Sequence, residues 1–336
     1  MQTEIKFYSG IHTIGGVCMS ITYNKRRVIL ELGAAYNPSS DIYDGVVKRR
    51  NNNYIADSLR LNSIPHVEGL YPKKYLADDI KLLSYEEMPI ETIALVSHLH
   101  LDHMLFMGMV HDDIDIYLCD AAATIEKALS DTKDGCYNIR KKPFKNIEHM
   151  HPIQFGDIKI TPYLIQPKSY KDWSFFVETP DLKLHYTGDL IIHNEVGETV
   201  LNEMQWVKEQ GADILVCDCT TFMDSTMEMI YNETDPEIVG SIELPKGMLH
   251  ERDVDKNLLE NLKSKTGLCV INFYEREMGE VEKIESMAAQ CDRICVYEPK
   301  LLISFKASLA NKFTFTSRIS MNIMRQLFNL HLGLKT

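Results

Sequence analysis

The chain has 336 residues, 45% of them hydrophobic, and a formal net charge of −12. This length and apolar content support a buried core in one large domain or two smaller ones. The acidic balance opposes broad non-specific attraction to nucleic acid and leaves only local clusters, Lys48-Arg49-Arg50 and Arg140-Lys141-Lys142, to steer phosphates.

No run approaches the roughly 18–20 apolar residues of a membrane helix. The opening Met1-Gln2-Thr3-Glu4-Ile5-Lys6 lacks a basic segment followed by an apolar one. A cytoplasmic protein without a membrane partner is the expectation. The eight cysteines form no C-x-x-C pair, Cys217/Cys219 and Cys291/Cys295 included, so reduced, mostly buried thiols are expected.

Residues 4–33 read as antiparallel strands: Ile5 to Tyr8, Cys18 to Tyr23, a turn at Asn24-Lys25, then Val28 to Leu32 ending at Gly33. Residues 34–90 show no sustained period and carry Asn51-Asn52-Asn53, Pro65 and Pro72, which predicts an elaborated loop with short helices. Thr92 to Ser97 is a short run of strand formers, and Ile114 to Leu118 is the next. Ala121 to Leu129 reads as a helix. Strands are expected at Ile158–Tyr163, Ser174–Glu178, Leu182–Tyr186 and Asp213–Asp218. After Pro245 the pattern changes to a strand at Leu268–Asn272, a helix over Glu280–Gln290 and a strand at Arg293–Val296, the βαβ texture of a separate small unit.

Directly after the Thr92–Ser97 strand comes His98-x-His100-x-Asp102-His103, three imidazoles and a carboxylate within six residues. A tight loop at a strand end converges such groups on one point. Nitrogen and oxygen donors of this kind suit Zn2+, with Mn2+ or Fe as alternatives. The bland reading, a histidine-rich surface loop, fits one histidine better than it fits four donors at this spacing.

Ser97 to His103 resembles the H-x-H-x-D-H signature of the metallo-β-lactamase superfamily. Ile11-His12-Thr13-Ile14-Gly15-Gly16 resembles the opening of ribonuclease J-like and β-CASP members, and Tyr186-Thr187-Gly188-Asp189 resembles their Y-T-G-D turn. The segment from Cys269 to Glu298 is similar to the start of a β-CASP cap. The resemblance implies an α/β fold, a metallo-β-lactamase αββα sandwich over residues 1–240, with a partial β-CASP-like cap over 241–336. It further implies one or two metal ions on His98, His100, Asp102, His103 and Asp189. His98 and His100 would hold the first ion and Asp102 and His103 the second, with Asp189 bridging. Asp102, Asp189 and His193 are the implied catalytic residues, and RNA or DNA the implied substrate.

The departures are as informative. Glu31-Leu32-Gly33 stands where the family has Asp-x-Gly. Gln166-Pro167-Lys168 stands where a third histidine is expected, and the chain reaches Thr336 with only His331 near the place of a last ligand histidine. His193 has a loop reading beside the catalytic one, Asp218 a helix N-cap reading beside an acidic-site one, and His149 and His151 read as surface residues. His250 has no placement.

The leading reading is a metal-dependent hydrolase of ribonuclease J-like type in which activated water attacks a phosphodiester. One alternative is a degenerate, non-catalytic metal-binding relative acting as a binding or scaffolding protein, as a homo-oligomer or with a completing partner chain. The other is a small-molecule esterase or thioesterase.

Overall fold

Alternating apolar residues near the start of the chain build a three-stranded antiparallel unit: β1 (Glu4–Ser9), β2 (Cys18–Tyr23) and β3 (Arg26–Leu30). Asn24 and Lys25 join β2 to β3 with φ of 48° and 63°, a pair of left-handed residues whose twist matches a tight hairpin. The computed structural model describes residues 1–11, 13, 15–34, 50, 52–88, 90–132, 135–136, 140–165, 172–190, 194–218, 251–272 and 278–297.

The sheet is completed by β4 (Glu91–Leu95) and β5 (Asp115–Tyr117), with β3, β4 and β5 parallel. A second sheet has the order β10-β9-β8-β7-β6, formed by β6 (Ile153–Phe155), β7 (Ile158–Leu164), β8 (Trp173–Thr179), β9 (Leu182–Tyr186) and β10 (Ile214–Val216). It too is antiparallel until its last pair, β9 with β10.

Helices accompany the sheets: α1 (Tyr54–Arg60), the single turn α2 (Leu101–Met104), α3 (Asp120–Thr132), α4 (Asn194–Gln210), α5 (Glu251–Ser264) and α6 (Met278–Gln290). Ile29, Leu30 and Leu95 of the first sheet share one buried cluster with Phe175, Leu184 and Tyr186 of the second. The α/β sandwich expected from the sequence is therefore present. Among the described residues no helix is long and apolar enough to cross a membrane.

Most predicted elements appear within two or three residues of their expected ends. The strand β6 and the helices α4 and α5 are additional. Helix α4 buries Val200, Glu203 and Val207 at the 3–4 residue spacing of one helix face. Glu203 lies 3.3 Å from His185 Nε2 and accepts a hydrogen bond from Ser174 Oγ, all three residues being fully buried. Trp206 packs edge-on to Phe176, ring centroids 5.3 Å apart.

The strands expected at Leu268–Asn272 and Arg293–Val296 are a correction, since these segments carry no strand pairing among the described residues. Leu268 and Val270 are 92% and 85% exposed. An isolated pair of strands with a bare apolar face gains too little burial to hold a ladder.

Phe175, fully buried and stacked on Tyr186, tests the shared core. Phe175→Ala is expected to destabilise the protein by about 3–5 kcal/mol, against less than about 0.5 kcal/mol for Leu201→Ala on the exposed face of α4, both read by urea unfolding.

Candidate metal centre

The chain leaves each inner parallel strand at the same end of the sandwich. Beyond β3 stands Glu31, beyond β4 the loop from Val96 to His100 leading into α2, and beyond β9 the turn Thr187-Gly188-Asp189. Carboxyl ends of parallel strands gather loops in this way, and open α/β sheets place ligands there.

Asp189 is the centre of the arrangement. Its Oδ2 lies 3.3 Å from His98 Nε2 and 3.6 Å from His100 Nδ1, and its Oδ1 lies 3.0 Å from His103 Nε2. Asp102 Oδ2 is 3.6 Å from that same His103 nitrogen. His98, His103 and Asp189 offer ligand atoms all within 4.8 Å of one another. The His98 and His103 rings pack with centroids 4.1 Å apart. The structure thus brings together all five residues that the sequence singled out as metal ligands.

The imidazoles are oriented by their other nitrogens. Ser97 Oγ is 2.8 Å from His98 Nδ1, which turns Nε2 toward Asp189. Glu31 is fully buried, accepts the Ser97 main-chain N–H at 3.2 Å on both oxygens, and sits 3.6 Å from His103 Nδ1. Outer contacts of this kind fix ring orientation at metal sites. Glu31 has φ of +63°, a strained conformation for a non-glycine residue, at the position where the motif it resembles has aspartate. The longer side chain is accommodated and reaches Ser97. Sequence reasoning misses the partnership of Ser97 with His98; the only signal for it is adjacency to the first histidine.

Backbone hydrogen bonds hold the loop from outside. Gly16 N and Val17 N both donate to the Asp102 carbonyl (3.1 and 3.2 Å), Leu32 N donates to the His103 carbonyl (2.9 Å), and Ala34 N to the Leu101 carbonyl (3.1 Å). These approaches require glycine. A Cβ at Gly33 would stand 1.5 Å from the Asp102 carbonyl oxygen, and one at Gly15, where φ is +65°, would stand 2.4 Å from Asp102 Oδ2.

Burial pushes the His98 imidazole down to about 3, with His103 nearby adding to the effect, so His98 is neutral. Burial works against ionisation of Asp189, yet the imidazoles of His100, His103 and His98 hold it well below the usual carboxylate range. Burial would also lower His103, but the Asp189 and Glu31 carboxylates carry it well above its ordinary value.

These residues fit a divalent cation. Direct hydrogen bonds between N and O span about 2.7–3.2 Å, whereas two donors at about 2.0–2.1 Å from a tetrahedral ion stand about 3.3–3.4 Å apart. His98 Nε2 is buried without a hydrogen-bond partner among the described residues and lies at the second spacing from Asp189.

The other expected residues divide as follows. His149 is exposed, accepting the Leu164 N–H on Nδ1 at 3.0 Å, and His151 is exposed as well, as read from the sequence. Asp218, after β10, donates its main-chain N–H to Thr187 Oγ1 at 3.2 Å, tying that strand end to the Asp189 turn. His193, Gln166, Pro167, His250 and His331 lie outside the described residues.

No protein-family model and no curated protein matches the chain. Among solved structures it is similar to a protein of unknown function from Enterococcus faecalis V583, at a TM-score of 0.65 and 19% identity over 90% of this chain and 67% of that one. This likeness is one of fold. Looser matches include BJP-1, a subclass B3 metallo-β-lactamase of Bradyrhizobium japonicum, with TM-score 0.39 and 11% identity over 76% of this chain and 91% of that one. The metallo-β-lactamase fold protein YhfI from Bacillus subtilis matches with TM-score 0.36 and 13% identity, over 65% of this chain and 70% of that one.

Gly33→Ala is expected to destabilise the protein by about 1–3 kcal/mol through overpacking and to weaken zinc binding in competition with a chromophoric chelator. Gly267→Ala, where an added methyl would meet nothing within 4 Å, is the control and is expected to change neither. Wild-type zinc affinity in Gly33→Ala would show that this backbone does not hold the ligand loop.

Proposed function

We propose that the chain is a metal-dependent hydrolase whose two-ion site is formed by His98 and His100 on one side, Asp102 and His103 on the other, and Asp189 between them. One observation carries the reading: the two oxygens of Asp189 are divided, Oδ2 toward His98 and His100 and Oδ1 toward His103. Such a division of the two oxygens would suit a carboxylate shared between two divalent ions.

Divalent ions, if bound by these residues, would supply Lewis acidity that lowers the pKa of a bound water and stabilises developing negative charge. The chain's own residues do the rest. Asp102, at the loop edge beside His103, orients the attacking water. Glu31 and Ser97 hold the His103 and His98 rings, and the Gly15–Gly16 and Gly33 backbone keeps Asp102 in place. His193, close in sequence to Asp189, is proposed as a further catalytic residue.

Phosphodiesters, with RNA or DNA as the natural class, are the proposed substrates. The support is the resemblance of residues 97–103 and 186–189 to ribonuclease J-like members, with residues 241–336 as a partial cap. Zn2+ is the proposed metal, with Mn2+ and Fe as alternatives. Pro167, standing where a third histidine is expected, favours a weakly held ion, and a partner chain or second copy is proposed to complete the donor set.

The test is hydrolysis of bis(p-nitrophenyl) phosphate and of end-labelled RNA by protein loaded with Zn2+, Mn2+ or Fe2+, beside a thioester. Asp189→Asn is expected to lower the phosphodiesterase rate by more than the roughly 100-fold that loss of an outer support causes. Thioester cleavage alone would assign the site to the esterase class, and no turnover with any metal would leave a binding protein.

Elemental analysis is expected to find less than two equivalents of metal in the purified protein, rising in Pro167→His, because donor number governs retention of a divalent ion. Two tightly held ions in the wild type would show that another residue completes the set.

A further inference from the structure

A cavity of about 380 Å³ lies between β1 and the segment 62–66 that follows α1. This is the size range of small-molecule sites. Its lining combines an aromatic and aliphatic body, Tyr8, Ile64, Pro65 and Phe106, with the cationic Lys6. In a chain of net charge −12, none of the lining residues is acidic.

The polar groups around the cavity are only partly committed. Lys6 Nζ lies 4.9 Å from the Tyr8 ring centroid, with no salt-bridge partner among the described residues. The Tyr8 hydroxyl accepts a hydrogen bond from Ser20 Oγ at 3.3 Å, which fixes the ring. Ser9, which also lines the cavity, carries a buried Oγ without a hydrogen-bond partner among the described residues. A buried hydroxyl left unpaired is destabilising unless something meets it. Phe7, Asn62, Ser63 and His66 also line it, together with Gly16 and Gly33, the residues whose backbone packs on Asp102. The cavity thus adjoins the ligand loop through the backbone of these two glycines.

We propose that this cavity is a second ligand site, for a small organic anion with a flat apolar body, distinct from the metal centre and adjoining it through the Gly16 and Gly33 backbone. The ring stacks among Tyr8, Pro65 and Phe106, the anionic group meets Lys6, and an acceptor atom of the ligand accepts a hydrogen bond from Ser9 Oγ.

The experiment is a fluorine NMR titration of the full chain with 4-(trifluoromethyl)benzenesulfonate and its neutral counterpart, 4-(trifluoromethyl)benzenesulfonamide, in chelator-treated and zinc-loaded protein. Saturable binding of the sulfonate in both forms is expected. Lys6→Gln is expected to weaken it about fivefold, the weight of one partly exposed ion pair, and to leave the sulfonamide unchanged. Ser63→Trp, at an exposed lining position, is expected to abolish binding of both probes while circular dichroism shows an intact fold. Three results would overturn the proposal: no saturable binding, binding indifferent to both substitutions, or binding seen only with zinc present. Loss on Ser63→Trp with no effect of Lys6→Gln would overturn the assignment to anions.

Discussion

The Asp189 carboxylate, set among three imidazoles at the end of the sandwich, is the interaction around which the rest is arranged. A carboxylate partly withdrawn from water, its side chain 31% exposed, is costly to ionise unless it is compensated. Compensation comes from His98, His100 and His103, all within 3.6 Å. Those histidines in turn need their own orientation, from Ser97 and Glu31, and Glu31 needs a left-handed backbone to reach them. The chain of dependence runs outward from the carboxylate to β3, β4 and the glycines that clasp the Asp102 loop.

The parallel pairings supply the platform. Each sheet is antiparallel along one side, β1 to β3 in one and β6 to β9 in the other, and turns parallel where it feeds the site, β3 with β4 in the first and β9 with β10 in the second. Only parallel neighbours deliver consecutive loops to one end. The buried runs Val28–Leu30 and Ile93–Leu95 are apolar on both faces, as inner parallel strands covered on two sides must be.

Much of this is legible in the sequence. Four donors in six residues behind a run of strand formers specify both a loop and its chemistry, and a glycine turn ending in aspartate supplies the fifth. The elements that are not legible are those whose stability is tertiary. Helix α4 owes its place to a buried Glu203 and to Trp206 on Phe176, contacts that its polar sequence does not announce. The segments Leu268–Asn272 and Arg293–Val296 have the composition of strands but find no ladder partner among the described residues, and composition alone does not make a sheet. The role of Ser97 depends on a rotamer, which no one-dimensional pattern carries.

The site also straddles the two sheets. The histidine loop hangs from the first and Asp189 from the second, with no covalent path between them shorter than the chain from β4 through β9. Close-packed interiors resist compression but allow small sliding of one layer over another. A shear of one sheet by an ångström would therefore be absorbed quietly by the apolar interior, and would register almost entirely as a change in the gap between His98 and Asp189.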